Sequence, residues 1–234
     1  KFDPLGTAWK HLTPEESATA IDIVAAVRDA VGPSVGLMIE IHGRLAAGSA
    51  IDVIRKLERF EPAWCEEPVV PESLDLLAAV KRSVAAPISA GERLYTLADF
   101  ARLISLRAAD VVQPDLAHCG GISMGKKIAA LAEVQDLRVA PHVSIGPVAL
   151  AAALHFDIST PNFMIQEDFS AFDVPWRSDF VHGWNPSKNG DFVQPEKPGL
   201  GLELNEAALR AHPYVAHAFP SLWDKEWLTK FKQD

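Results

Sequence analysis

Three glutamates recur at equal intervals: Glu40, Glu66 and Glu92 lie 26 residues apart, and each closes a short apolar run. This interval accommodates one strand, one helix and two loops, so the repeat predicts βα units. Equivalent positions on neighbouring strands of a parallel barrel face the same end, where the three carboxylates would meet. Carboxylates that close repel unless a cation lies between them, and all-oxygen ligands suit Mg²⁺ or Mn²⁺ better than zinc. The alternative is three surface glutamates spaced by coincidence.

The same phase continues at the next three predicted strand ends, which carry Asp115, His142 and Glu167 at intervals of 23, 27 and 25 residues. Asp115 and His142 on consecutive strands predict a His–Asp pair. In such a pair the carboxylate fixes the imidazole tautomer and makes the other ring nitrogen a better base. A core or helix-capping histidine is the alternative interpretation of His142 taken alone.

Two further histidines lie beside these positions. His42 follows Glu40 by two residues, which on an extended strand would place both side chains on one face. There it could be a metal ligand, a group supporting a ligand, an acid or a structural histidine. His118 precedes Gly120 and Gly121 at a predicted helix start, where the glycine pair predicts a tight turn and a phosphate cradle is the alternative.

The elements that must position these side chains alternate along the chain. Thr13, Pro14 and Glu16 predict the start of a first helix through a capping box with proline at the first helical position. Amphipathic segments then alternate with apolar runs that predict strands buried on both faces, near residues 2, 38, 64, 89, 112, 139 and 165. This alternation predicts a parallel TIM-type α/β barrel. A closed barrel needs about eight strands, so the chain is interpreted as a fragment that lacks the first βα unit.

The alternation is expected to stop after residue 168, which divides the chain into a barrel region, 1–168, and a C-terminal segment, 169–234. The stretch 168–200 is rich in Pro, Gly, Asn and Trp and predicts a long loop. Its Trp176 and Trp184 could line a pocket or pack against the barrel rim. A short strand at 199–206 and a helix at 206–211 are predicted to follow.

Composition excludes several classes of protein. A chain of 234 residues with 48% hydrophobic content can bury the core of one domain. The net charge of −9 and the absence of basic runs argue against nucleic acid or a membrane surface as partner. No apolar stretch approaches the roughly 20 residues that span a bilayer. Cys65 and Cys119 are too few for a disulfide framework, so a cytoplasmic location is expected.

The ordered motifs resemble those of the enolase superfamily and, more narrowly, of its mandelate racemase subgroup. The motifs are Glu40-x-His42, CEEP at Glu66, AGE at Glu92, QPD at Asp115, PH at His142 and QED at Glu167. The runs EIHGR at 40–44 and QPDLAHCGGI at 113–122 look most like galactonate dehydratase and related acid-sugar dehydratases.

The resemblance implies a (β/α)₇β barrel and a separate N-terminal α+β capping domain that this chain lacks. The region around 202–214 would pack against that capping domain. The resemblance also implies one Mg²⁺ ion bound by Glu40, Glu66 and Glu92, with Mn²⁺ as a substitute, and a homo-oligomeric assembly.

The resemblance further implies roles for the remaining site residues. His142 with Asp115 would be the base, His42 the general acid for the departing 3-hydroxyl, and Glu167 a hydrogen-bonding partner of the enolate. The residues assigned to substrate binding are Lys1, Asp3 and Arg44.

The implied activity is dehydration of an acid sugar, an aldonate such as galactonate, to a 2-keto-3-deoxy acid. The proton next to the carboxylate is abstracted and the 3-hydroxyl leaves. Such enzymes commonly have Asp where this chain has Glu40, and the racemases have Lys-x-Lys where it has Lys1-Phe2-Asp3. Racemisation needs a base on each face of the carbon, so the second change favours elimination. The alternatives are an epimerase, racemase or cycloisomerase with His42 as second base, and a catalytically silent barrel.

Overall fold

A computed structural model of the protein describes residues 1–169, 176–182 and 187–214. These residues divide into two compact units. Unit 1 contains Lys1–Ala90 and Ser105–Asp110, and unit 2 contains Gly91–Ile104 together with 111–214. Each unit alternates parallel strands with helices.

Unit 1 begins with an isolated bridge and continues through three strands and three helices. Its elements are α1 (Pro14–Val31), β1 (Met38–Glu40), α2 (Ala47–Leu57), the 3₁₀ turn Glu58–Phe60, β2 (Trp64–Glu66), α3 (Leu74–Ser83) and β3 (Ile88–Ala90). Phe2 bridges Ile39 in parallel, β1 pairs with β2, and β2 pairs with β3, again in parallel. Unit 1 therefore holds the first four predicted strand positions.

Local sequence explains how the helices of unit 1 start and which face they bury. The Thr13 hydroxyl accepts the Glu16 amide and the Glu16 carboxylate accepts the Thr13 amide, so the predicted capping box is confirmed. In α2 the buried residues are Ala50, Val53, Ile54 and Leu57, which recur at helical spacing.

Unit 2 holds the remaining strand positions and the C-terminal elements. These are α4 (Leu97–Ser105, whose last residue belongs to unit 1), β4 (Val111–Val112), α5 (Leu116–Cys119), α6 (Gly121–Glu133), β5 (Arg138–Val139), α7 (Pro147–Ile158), the 3₁₀ turn Arg177–Phe180, β6 (Ser187–Lys188), β7 (Asp191–Phe192) and α8 (Glu206–Ala211). The strands β4 and β5 pair in parallel, and Val139 bridges Phe163 in parallel.

All seven predicted strand positions carry a strand or a bridge, although the last is only the bridge at Phe163 rather than a strand over 163–166. The strand residues Ile39, Cys65, Ile88 and Val112 are fully buried, as expected for strands covered on both faces. Each of these strands is only two or three residues long.

The C-terminal segment differs from the predicted long loop. Within 168–200 the β6–β7 hairpin forms, and the strand expected at 199–206 is a single antiparallel bridge between Val181 and Leu204. The helix predicted at 206–211 is confirmed as α8. Trp176 stacks on His212 with ring centroids 4.2 Å apart, whereas Trp184 lies outside the described residues.

Two sequence expectations concern the chain as a whole. Cys65 and Cys119 are both buried free thiols. No helix within the described residues combines the length and the hydropathy needed to cross a membrane.

Candidate active site

In unit 1, strand pairing brings two of the predicted metal ligands side by side. The parallel register aligns Glu40 at the end of β1 with Glu66 at the end of β2, and both side chains are buried. The ammonium of Lys1 lies 3.2 Å from Glu40 Oε2 and 2.7 Å from Glu66 Oε1. Two buried carboxylates thus turn one oxygen each toward a common positive charge.

The other oxygen of each carboxylate is held by the protein. Glu40 Oε1 accepts the backbone amides of Ile41 at 3.1 Å and His42 at 2.8 Å. The Glu40 carboxylate thus folds back onto the backbone amides that directly follow its own strand. Glu66 Oε2 accepts the indole N–H of Trp64 at 3.0 Å.

The contribution of Trp64 is absent from the sequence prediction, although a signal for it exists. Trp64 and Glu66 are two residues apart on β2, and residues with that spacing point to the same face of a strand. A buried Trp needs an acceptor for its N–H, and the carboxylate supplies one.

His42 does not lie where strand periodicity places it. β1 ends at Glu40, and His42 has φ of 53°, in the left-handed region. The expectation of a strand face shared with Glu40 is therefore wrong, because the chain turns out of the sheet before His42. The turn brings His42 Nδ1 to 2.7 Å from Asp3 Oδ2.

Arg44 is buried behind Asp3, with 1% of its side chain exposed. Its Nη2 donates to Asp3 Oδ1, and its Nη1 donates to the Gly6 carbonyl at 2.8 Å. Burial lowers the pKa of the Arg44 guanidinium, and the neighbouring Asp3 carboxylate opposes that shift. The structure thus gives Asp3 and Arg44 protein partners, and their predicted contact with substrate stays a prediction.

Unit 2 brings together the predicted His–Asp pair. Asp115 follows β4 and caps α5, where its Oδ1 accepts the Ala117 amide at 2.7 Å. Its Oδ2 lies 2.7 Å from His142 Nδ1, and the backbones of the two residues form a parallel bridge. An ionised carboxylate can only accept, so Nδ1 carries the proton and Nε2 is left as the nitrogen that can accept one.

Three acidic side chains surround His142. Its Nε2 lies 3.4 Å from Glu92 Oε2 and 3.8 Å from Glu167 Oε2. Burial lowers the pKa of His142, but the Asp115 hydrogen bond and the charges of Glu92, Glu167 and Asp115 outweigh burial and raise the pKa overall. Burial raises the pKa of Asp115, but the hydrogen bond and charge of His142, with smaller contributions from His118 and the Ala117 amide, lower it overall. The imidazole is thus a strengthened base.

Backbone features fix Glu92 and Glu167 in place. Gly91 precedes Glu92 with φ of 140°, and a Cβ there would come within 3.0 Å of the Gln113 backbone, which explains the glycine of the AGE motif. Glu167 Oε2 accepts the Val143 amide at 3.1 Å.

The glycine pair after His118 forms the expected tight turn. Gly120 and Gly121 have φ of 107° and 78°, both in the left-handed region, and Gly120 ends α5. His118 Nδ1 lies 3.9 Å from Asp115 Oδ2 and 3.3 Å from the Glu92 carbonyl oxygen. His118 is therefore part of the surroundings of the His–Asp pair, which the sequence prediction did not include.

The donor chemistry of the described residues fits a hard divalent cation. Glu40, Glu66 and Glu92 form a group of acidic side chains that could hold a metal ion. All of their donor atoms are carboxylate oxygens, which favour Mg²⁺ or Mn²⁺ over zinc. The ammonium that contacts both Glu40 and Glu66 shows that these two carboxylates favour positive charge.

Comparison with known proteins identifies the family of this chain and several relatives. The family model described as "Enolase C-terminal domain-like" matches residues 5–208. A D-gluconate/D-galactonate dehydratase of Picrophilus torridus is 39% identical over 206 residues, which cover 88% of this chain and 52% of that protein. A D-galactonate dehydratase of Xanthomonas euvesicatoria is 36% identical over 208 residues, covering 83% of this chain and 53% of its own length.

Solved structures agree with these relatives. A mandelate racemase/muconate lactonizing enzyme-like protein from Rubrobacter xylanophilus superposes with a TM-score of 0.83 at 43% identity, over 88% of this chain and 52% of that one. The chain spans about half the length of the curated relatives it matches. The predicted TIM-type α/β barrel and the resemblance to the mandelate racemase subgroup are both confirmed.

Proposed function

The chain belongs to the enolase C-terminal domain-like family, and on that premise we propose that it is the barrel of a divalent-metal-dependent acid-sugar dehydratase. The observation that carries the proposal is the His142–Asp115 pair, whose Nε2 faces the carboxylates of Glu92 and Glu167. The names of the relatives favour an aldonate of the galactonate or gluconate kind as substrate.

Glu40, Glu66 and Glu92 are proposed to hold one Mg²⁺ ion, and Mn²⁺ would substitute for it. When bound, the ion would stabilise negative charge that develops on the substrate carboxylate. Trp64 and the backbone amides of Ile41 and His42 orient two of these ligands. Lys1 would move away from Glu40 and Glu66 and contact the substrate instead.

The first chemical step belongs to His142. Its Nε2 takes the proton from the carbon next to the substrate carboxylate, and the electron pair of that C–H bond moves toward the carboxylate. Asp115 holds the Nδ1–H and stabilises the imidazolium that forms. Glu167, whose Oε2 lies 3.8 Å from His142 Nε2, would hydrogen-bond the enolate.

The second step belongs to His42. It donates a proton to the 3-hydroxyl as the C3–O bond breaks, so water leaves and an enol remains. The enol tautomerises to the 2-keto-3-deoxy acid. Elimination therefore needs a base and an acid, and each unit supplies one histidine that is paired with an aspartate.

An epimerase or cycloisomerase is the second candidate. The observation that favours it is that His42 carries the same Nδ1–carboxylate partnership as His142, an arrangement that also makes a base. Exchange of the C2 proton with solvent, without loss of the 3-hydroxyl, would distinguish this candidate from the dehydratase.

The test is a 2-keto acid assay with semicarbazide on the full-length protein, supplied with Mg²⁺ and a panel of aldonic and uronic-derived acids. We expect product from at least one acid, and we expect chelator and His142→Asn each to abolish it. His11→Asn, a substitution at an exposed histidine, is the matched control and should keep activity. Absence of product across the panel, with metal bound, would contradict the proposal.

A further inference from the structure

A second His–Asp pair lies in unit 1, next to the first strand bridge. His42 Nδ1 and Asp3 Oδ2 are 2.7 Å apart, and Asp3 Oδ1 accepts from Arg44. We propose that Asp3 is a positioning residue for His42 and that Arg44 holds Asp3 for this purpose. The inference rests on the proposed function, since it deepens the role of His42 as the acid of the elimination.

The geometry of the carboxylate supports this role over a plain salt bridge. An Arg–carboxylate pair with no other task often forms two parallel hydrogen bonds. Here Arg44 sends only Nη2 to Asp3, while Nη1 goes to the Gly6 carbonyl. The Leu5 amide also donates to Asp3 Oδ1 at 2.8 Å. Both donors thus fix one oxygen and leave Oδ2 for the imidazole.

The imidazole is fixed from two sides as a result. The backbone amide of His42 donates to Glu40 Oε1 at 2.8 Å, which anchors the turn, and the ring donates to Asp3. Since the carboxylate can only accept, Nδ1 carries the proton and Nε2 is the nitrogen that exchanges a proton with substrate. No described residue hydrogen-bonds Nε2, and 30% of the side chain is exposed.

The strand bridge explains why Asp3 can reach this position. Phe2 pairs in parallel with Ile39, through the Phe2 amide to the Met38 carbonyl and the Glu40 amide to the Phe2 carbonyl. Lys1 and Asp3 flank the bridge and share one face of the extended segment. One of them contacts Glu40, and the other contacts His42.

This assignment differs from the two other roles open to Asp3. A substrate-binding Asp3 would present an oxygen to the ligand, whereas each of its oxygens has a protein partner. A purely structural Asp3 would need only the contacts of its Oδ1 with Arg44 and Leu5. The additional contact of its Oδ2 with His42 Nδ1 fixes which ring nitrogen carries the proton. Asp3 also precedes the range matched by the family, residues 5–208, so the match does not carry this role.

The experiment compares Asp3→Asn with the unsubstituted full-length protein, loaded with Mg²⁺, on two substrates. One is the acid sugar identified by the 2-keto acid assay, and the other is its 3-deoxy-3-fluoro analogue, whose leaving fluoride needs far less help from an acid. We expect kcat on the hydroxy acid to fall about tenfold or more, because His42 would no longer be positioned to donate its proton. KM should stay within about threefold of the value for the unsubstituted protein. On the fluoro analogue the variant should lie within about threefold of the unsubstituted protein.

Three results would overturn the inference. A raised KM with unchanged kcat would make Asp3 a substrate-binding residue. Equal losses on both substrates would make it structural. No effect would make the pair irrelevant. Asp29→Asn, an exposed Asp→Asn change in the same unit, is the matched control and should leave both substrates unaffected.

A measurement that needs no turnover separates failure of this inference from failure of the proposed function. Nitrogen-15 NMR of histidine-labelled protein reports which ring nitrogen carries the proton, and the signal missing in His42→Asn belongs to His42. We expect the neutral ring of His42 to be protonated at Nδ1, and this preference to be lost in Asp3→Ala. A neutral His42 protonated at Nε2 in the unsubstituted protein would overturn the inference even if no acid sugar is turned over.

Discussion

The two units each hold a histidine paired with an aspartate through the same 2.7 Å contact between Nδ1 and Oδ2, yet the surroundings differ. In unit 1 the exposed fractions are 30% for His42 and 19% for Asp3. In unit 2 they fall to 13% for His142 and 2% for Asp115. The His–Asp pair of unit 1 is therefore partly exposed to solvent, whereas the pair of unit 2 is largely buried.

The charges behind the two pairs differ as well. Asp3 shares its carboxylate with the buried Arg44, which offsets the negative charge that His42 meets. Asp115 has no arginine partner among the described residues, and Glu92 and Glu167 add negative charge around His142. The pair in unit 1 thus lies beside a guanidinium, whereas the pair in unit 2 lies beside two further carboxylates. This contrast fits a proton donor in unit 1 and a proton acceptor in unit 2.

The largest expected effect is that of His142→Asn. Turnover should fall by about 10²–10⁴-fold, the usual contribution of a general base, and the C2 proton should stop exchanging with solvent. Metal affinity should change little, because His142 is not among the proposed ligands. The 2-keto acid assay and calorimetric titration with Mg²⁺ measure the two quantities. Normal turnover in this variant would mean that unit 2 does not supply the base.

His42→Asn should separate the two pairs. Elimination should fall by about 10²-fold or more, because the departing hydroxyl loses its acid, while exchange of the C2 proton should persist because His142 is intact. Proton NMR in D₂O follows exchange and elimination in one sample. Loss of exchange together with elimination would contradict the division of labour between the units.

Trp64→Phe should weaken metal binding without touching the metal. The indole orients Glu66, and loss of a hydrogen bond that orients a metal ligand typically lowers metal affinity about 10–100-fold. Glu66→Gln removes a ligand oxygen and should have the larger effect. Titration with Mn²⁺ measures both. If Trp64→Phe bound Mn²⁺ as tightly as the unsubstituted protein, the indole would not be needed to orient Glu66.

The last prediction concerns stability and a carboxylate in unit 2 that lacks the partners Asp115 has. Asp157 is buried, neither oxygen has a hydrogen-bond partner among the described residues, and burial raises its pKa to about 8. Between about pH 4 and pH 8 the folded chain keeps this proton while the unfolded chain releases it, so stability falls as pH rises through that window.

Asp157 should contribute a slope on the order of 1 kcal/mol per pH unit to the free energy of unfolding, and Asp157→Asn should remove that contribution. Urea denaturation at pH 5 and pH 8 gives the slope. Asp29→Asn serves as control and should keep it. Equal slopes in Asp157→Asn and the unsubstituted chain would show that burial does not hold this proton.

Periodicity in the sequence was enough to predict the strand ends. Glu40, Glu66, Glu92, Asp115 and His142 follow one another at intervals of 23 to 27 residues, and the register of Glu40 with Glu66 and the bridge between Asp115 and His142 agree with this spacing. Such positions are predictable because the C-terminal ends of parallel strands meet at one edge of a sheet.

Side chains beyond the strand ends were not predictable in the same way. His42 lies in a turn with positive φ, where strand alternation no longer applies, and its partner Asp3 is 39 residues away in sequence. The β6–β7 hairpin within the predicted loop was missed because two-residue strands carry no periodicity. Contacts made by turns depend on tertiary structure rather than on local pattern.

The most direct test of the proposed dehydration is proton NMR of the full-length protein with Mg²⁺ in D₂O, using D-galactonate and D-gluconate. We expect the C2 proton signal to disappear for at least one acid, and the upfield C3 signal of a 2-keto-3-deoxy acid, carrying one deuterium from solvent, to replace it. Unchanged spectra of both acids, in a sample shown by titration to bind Mg²⁺, would contradict it.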